Sequence, residues 1–225
     1  MKRKVILITF NFFATFLFAQ KHVVVTPVYG NTNLQLDSYY QLNNDSLQIE
    51  LLKFYVSGIE FMNDDKSVWK EKNSFHLIDA SVENSLTISL NAPDNIHFNK
   101  IKFNIGIDSI TNVSGVMGGD LDPTKGMYWS WQSGYVNFKL EGRSNICKTR
   151  NNEFQFHLGG YQYPFSAIQT IVLNVKQEEP VNIELDLQKL ISQFNLSKEN
   201  RVMSPDAEAV RLSGYLSSAI RIKQK

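Results

Sequence analysis

Between Gly118 and Gly142 the chain reads GGDLDPTKGMYWSWQSGYVNFKLEG, with two tryptophans, two tyrosines and five glycines in 25 residues. That density exceeds what a core strand requires. Tyr128, Trp129, Trp131 and Tyr135 follow a turn signal at Asp122-Pro123-Thr124-Lys125-Gly126. Glycine is placed where backbone must bend or approach another group closely. Two readings fit the segment: a well-packed turn-and-strand corner, or a site that presents an indole to a ligand or redox partner. Asp120 and Asp122 add carboxylate oxygens to the same loop.

The four histidines differ in their settings. His22 lies near the start of the chain after its apolar leader, and His97 follows the turn cluster Pro93-Asp94-Asn95. His76 and His157 sit inside strand patterns. In Phe75-His76-Leu77 the period of two sends Phe75 and Leu77 to one face and His76 to the other. In Phe154-Gln155-Phe156-His157-Leu158 the apolar residues share a face and leave His157 opposite. Both imidazoles therefore project away from the apolar face of their own strands. A hydrogen-bonded structural histidine and a metal ligand both fit that placement.

Composition narrows the remaining chemistry. Cys147 is the single cysteine, so an internal disulfide, a cysteine-pair zinc site and a CxxC redox motif are excluded. Any metal must be held by histidine, carboxylate, methionine or a less usual donor. Cys147 lies in the polar run Asn145-Ile146-Cys147-Lys148 and reads as an incidental free thiol. The chain carries 23 Lys+Arg and 22 Asp+Glu; without Lys2, Arg3 and Lys4 the balance is 20 against 22, a net of −2. No electrostatic footprint for nucleic acid or an anionic membrane results.

Those three basic residues precede an apolar run, Val5–Phe18, that ends at Ala19. This is the layout of a secretory signal peptide, and the run is shorter than the about 20 apolar residues of a membrane-spanning helix. Residues 1–20 are expected to be removed, leaving residues 21–225 as one domain in the periplasm or outside the cell, with no stable membrane insertion.

Short runs of β-branched and aromatic residues dominate the rest. Strands are expected at Val23–Val28, Leu47–Phe61 (one long or two short, with Gly58 as a bulge), Phe75–Ile78, Leu86–Leu90 and Lys100–Ile107. Val136–Leu140, Glu153–Leu158, Ile168–Val175 and Val181–Leu185 follow. Two short helices interrupt them late. Asp186 caps a segment whose Leu187, Leu190, Ile191 and Phe194 form one apolar face. A second helix opens at Ser204-Pro205-Asp206, with Ser204 as its cap, and buries Ala209, Leu212, Leu216 and Ile220. The expected fold is all-β: an antiparallel β-sandwich of Greek-key type with a few short helices.

GMYWSWQSGYVNFKLEG, led by LDP and followed by FHLGG at Phe156–Gly160, resembles the MbnP-like copper-binding domain of Gram-negative bacteria. LLKFYVSGIEF at Leu51–Phe61, FHLIDAS at Phe75–Ser81 and RVMSP at Arg201–Pro205 match in the family's order, so the resemblance spans roughly residues 22–220. It implies a copper ion among histidines and an oxidised tryptophan, with a diheme peroxidase-like partner (MbnH in the family) converting that tryptophan to kynurenine. Trp129 and Trp131 match the family's GMxWxWQ element, and His76 and His157 its histidine-bearing elements. Kynurenine gains an arylamine nitrogen and a ketone oxygen as donors, and copper is the tightest divalent occupant of a nitrogen site. Which tryptophan is modified stays open; one could be the target and the other a relay.

A reading from another class is a calcium-supported extracellular binding or adhesion module. Asp120 and Asp122, with Asp108 nearby, would supply oxygens, and the aromatics would stack on sugar rings or a peptide. Alternatively these aspartates only cap and turn, as Asp does before Pro and Gly. Catalysis has little to stand on: no GxSxG, HExxH, P-loop or dinucleotide fingerprint occurs, and the expectation is a protein that is not an enzyme.

Overall fold

Alternating side chains on β-branched strands leave one apolar and one polar face per sheet, and two such sheets bury their apolar faces against each other. The structure, a computed structural model, describes residues 20–176 and 179–223; all but the last position of the expected leader lies outside the described residues. The strands are β1 (Lys21–Tyr29), β2 (Thr32–Asn33), β3 (Tyr39–Leu42), β4 (Asp45–Asn63), β5 (Lys66–Lys70), β6 (Phe75–Asp79), β7 (Thr87–Leu90) and β8 (Lys100–Ile105). They continue with β9 (Tyr128–Trp129), β10 (Gly134–Ser144), β11 (Glu153–Gly159), β12 (Gln169–Asn174), β13 (Val181–Asp186), β14 (Arg201–Val202) and β15 (Ile220–Ile222). Among the described residues the α-helices are short: α1 (Ser109–Val113), α2 (Leu187–Ile191), α3 (Ala207–Gly214) and α4 (Leu216–Ala219).

A smaller sheet runs β15-β13-β1-β2, with β7 also on β1; a larger one runs β12-β8-β4-β10-β11-β14, with β3, β5 and β6 on β4. The all-β class holds, but the sheets are mixed. β1 pairs with β13 in parallel from Val23↔Val181 to Val28↔Asp186, and β11 pairs with β14 in parallel. Strand propensity carries no direction, so pairings between segments this distant along the chain are invisible to periodicity.

β4 is the spine of the larger sheet, a single strand of 19 residues. Gly58 adopts φ +61°, and the β4–β8 register slips between Ser57 and Glu60, the bulge expected there. Lys53 pairs with both Lys139 of β10 and Asp79 of β6; Val56 pairs with both His76 of β6 and Ile105 of β8. β10 and β8 thus line one edge of β4 and β6 the other.

One face of this sheet packs on the smaller sheet. Phe54, Val56, Phe103, Ile105, Phe138, Phe154, Phe156 and Leu158 meet Val23, Val25, Ile183 and Leu185, all buried. Each such side chain contributes about 1.5–3 kcal/mol on removal from water. The opposite face carries a second cluster, Tyr55, Leu77, Ile107, Leu121, Met127, Trp129, Tyr135 and Val136, drawn largely from the segment after β8. A loop folded over a sheet covers that face.

Asp186 caps α2 by accepting from the Lys189 N–H at 3.1 Å, as expected. The cap of α3 is Asp206, which accepts from Ala209 N–H at 2.8 Å, while Ser204 donates to Asp206 at 2.9 Å. The expected stripe Ala209, Leu212, Leu216, Ile220 is buried, but the helix breaks at Tyr215 and Ile220 opens β15. Cys147 belongs to the core: it is 2% exposed, and burial pushes its thiol up to about 11, which leaves it inert at neutral pH.

Candidate functional site

The second face is built from the loop that precedes the aromatic strand. Asp122 accepts from Thr124 N–H at 2.8 Å and Thr124 Oγ1 at 2.7 Å, starting a 3-10 turn over Pro123–Lys125. These bonds hold the Asp122 carboxyl below its usual range. Asp120 takes Lys125 Nζ at 2.6 Å on one oxygen and Leu77 N–H at 3.0 Å on the other. Asp108 caps α1 through Thr111. All three carboxylates are engaged in turn, cap and loop-to-strand bonds, the role Asp plays beside Pro and Gly.

Buried polar groups then fasten the loop to the sheet. Asn112, 3% exposed, donates to the Ile107 and Asp108 carbonyls at 3.0 and 2.9 Å and accepts from Tyr135 N–H at 2.8 Å. Tyr55 donates to the Asp120 carbonyl at 3.1 Å, and its ring meets Tyr135 edge-on at 5.9 Å. Burial raises both phenols above their ordinary range, so both stay protonated donors.

Trp129 pairs through β9 with Gly134 and lies 7% exposed in this cluster. Its benzo ring rests on Gly159 of β11. A β-carbon at Gly159 would come within 2.7 Å of the indole and 2.9 Å of the Tyr135 carbonyl, so the close approach requires glycine. Trp131 leans on Trp129, ring centroids 5.6 Å apart and tilted by 42°, yet is 62% exposed.

His157 stands two residues before Gly159 on the same strand and so on the same face, roughly 7 Å along it. It pairs with Lys139, in one row with Lys53 and Asp79. Its Nε2 meets Glu141 Oε1 at 2.6 Å, and it is 7% exposed. Burial lowers its pKa more than Glu141 raises it, so the ring is neutral at pH 7. A carboxylate at Nε2 fixes the ring and leaves Nδ1 as its unprotonated nitrogen, the arrangement that orients histidine ligands in metal sites.

His76 does not join it. His76 is paired with Val56 and shares the face of Ile78, whereas Leu77 and Tyr55 face the Trp129 cluster. Register therefore sends His76 and His157 to opposite faces of one sheet. They are also three strands apart, about 14 Å at the usual spacing. The expected convergence of these two imidazoles on one ion fails for that reason. His76 Nε2 bonds Glu71 Oε2 at 2.8 Å, the same oxygen that takes the Ser74 hydroxyl at 2.5 Å. Among the described residues no three His, Cys, Asp or Glu side chains gather to hold a metal ion.

Sequence reasoning missed Glu141, Gly159 and Asn112. Alternation in Phe138-Lys139-Leu140-Glu141 does put Glu141 on the polar face, but pairing it with His157 needs the β10–β11 register.

Comparison with known proteins follows the same lines. The family model of MbnP matches residues 20–204. The chain belongs to the MbnP family. Among solved structures it is similar to MbnP from Methylosinus trichosporium, with TM-score 0.63 and 16% identity over 85% of this chain and 86% of that one. At that identity the likeness is one of fold. No curated protein matches the chain.

Proposed function

We propose that this MbnP-family protein is exported and binds copper, holding it beside an oxidised Trp129 with His157 as a protein ligand. A diheme peroxidase-like partner makes the oxidation, and the protein itself is not an enzyme. The observation that carries the reading is the placement of Trp129 on Gly159 and of His157 two residues away on the same sheet face. His157 is neutral, and its Nε2 is held by Glu141. A neutral imidazole suits copper. Oxidation of the indole to kynurenine would add an arylamine nitrogen and a ketone oxygen to the donors available there. The donor set present fits copper in part, and the modification supplies the remainder. His76, on the other face, has a structural role with Glu71 and Ser74.

The basic and apolar leader supports export, and N-terminal sequencing of the mature protein checks it: an intact Met1 in the periplasmic fraction would count against it. For the site, the protein is co-expressed with the diheme partner, and copper per chain is measured alongside peptide mass. Wild type and His76→Ala should retain copper; His157→Ala and Trp129→Phe should lose most of it. Copper retained equally by His157→Ala and Trp129→Phe would sink the reading.

A further inference from the structure

The two tryptophans that share one motif occupy different environments. Trp129 is 7% exposed and Trp131 62%, with centroids 5.6 Å apart. Trp129 also lines an uncharged groove of about 200 Å³ with Gln132, Tyr161, Tyr163, Phe165 and Pro205. A groove of that size does not admit a heme protein or any bulky oxidant. Trp131 is the exposed indole in ring contact with Trp129 that such an oxidant can touch, while Tyr163, 97% exposed, is the phenol on the groove side.

We propose that Trp131 is a redox relay, the residue through which a macromolecular one-electron oxidant removes electrons from the buried Trp129. This rests on the reading of Trp129 as the oxidised residue. The oxidant is a ferryl heme generated from peroxide. Trp131 gives one electron to the ferryl heme and becomes a radical cation. Trp129 then gives one electron to Trp131, which returns to a neutral indole, and the hole remains on Trp129. With water as oxygen source, one indole and three waters yield kynurenine, formic acid, four electrons and four protons. The C2–C3 bond of Trp129 breaks, C2 leaves as formic acid, and each electron exits through Trp131. An indole passes an electron without first losing its proton, so it serves where a phenylalanine cannot; a tyrosine can substitute at reduced rate.

Two arms separate the relay from the partner reading. In the first, wild type, Trp131→Phe, Trp131→Tyr and Tyr163→Phe are co-expressed with the diheme protein, and oxidation at Trp129 is mapped by peptide mass. In the second, the same purified proteins are oxidised without partner by a photogenerated ruthenium(III) polypyridyl complex, too large for the groove. Oxidation at Trp69, packed on Phe61 at 5.4 Å in another part of the sheet, serves as internal standard. In both arms Trp131→Phe should lower oxidation at Trp129 by roughly tenfold or more, Trp131→Tyr should restore much of it, and Tyr163→Phe should match wild type. A merely structural Trp131 predicts no difference between Phe and Tyr. Undiminished oxidation of Trp129 in Trp131→Phe overturns the relay, as does kynurenine found at residue 131 instead. If the partner oxidises nothing but the ruthenium arm shows the Trp131 dependence, the relay stands and the partner reading falls.

Discussion

The two faces of the larger sheet share every strand and differ in how they are covered. Toward the smaller sheet, Phe54, Phe103, Phe138 and Phe156 interlock with Val25 and Ile183, and regular strands meet regular strands. On the other face, Tyr55, Trp129 and Tyr135 lie under a loop fastened by Asn112, Asp120 and Lys139, whose Nζ reaches the Gly126 carbonyl at 3.4 Å. The first face is held chiefly by apolar area, with the His76–Glu71–Ser74 bonds as its polar exception; the second is fastened by several directed bonds to buried polar groups. Directed bonds position single atoms, and apolar area does not. The face closed by hydrogen bonds is thus the one that can hold an indole and an imidazole at a set separation.

The largest expected effect tests whether the two faces are independent. Phe103, 2% exposed, lies between the sheets, and Phe103→Ala should cost about 3–5 kcal/mol. Denaturant unfolding reads that loss. Well below the melting transition, partner-driven oxidation of Trp129 should continue as in wild type. Its disappearance in a folded Phe103→Ala protein would show that the faces are coupled.

Gly159→Ala puts the perturbation on the second face. The new β-carbon lies within 2.7 Å of the indole, against a ring packed on β11. Overpacking of this kind costs about 1–3 kcal/mol, less than Phe103→Ala. Trp129 should be displaced, its fluorescence shifted to the red, and its oxidation and copper retention lost. A variant that keeps both would mean that the close approach of Trp129 to β11 is not what the site requires.

How far the sequence reveals these faces depends on the range of the forces involved. Alternation is local, so the inward run Phe154, Phe156, Leu158 and the outward His157 are legible, as are β1 and the Asp186 cap. Register is not local. His76 and His157 each leave the apolar face of their own strand, yet register inverts one relative to the other, because Val56 faces the main core and Tyr55 the second cluster. The same limit hides the parallel β1–β13 pairing. Cys147 reads as polar from its neighbours and is buried by residues far along the chain. The aromatic segment is conspicuous by composition, but the 7% and 62% exposures that separate Trp129 from Trp131 arise only when Gly159 arrives beneath one of them.

Asn112 gives a smaller effect confined to the second face. Asn112→Ala would leave the Ile107 carbonyl and the Tyr135 N–H without this partner, a loss of about 1–3 kcal/mol. Hydrogen exchange should accelerate at Tyr135 and its neighbours and stay unchanged in β1 and β13. Uniform acceleration through both sheets would dissolve the distinction between the faces.

The smallest effect concerns protons at His157. Burial depresses its pKa in the folded chain below the ordinary value, with Glu141 opposing and Lys139 and Arg201 assisting. In the unfolded chain the imidazole titrates near about 6.5. Above that pH both states hold a neutral ring, and this contribution to stability is fully present. As the pH falls below it, the unfolded chain takes up a proton that the folded chain refuses, so stability declines until the folded ring also protonates. His157→Gln should therefore flatten the acid side of the stability–pH curve by one proton's worth. An unaltered acid slope in His157→Gln would place the proton uptake elsewhere and remove the argument that His157 is held neutral as a ready donor.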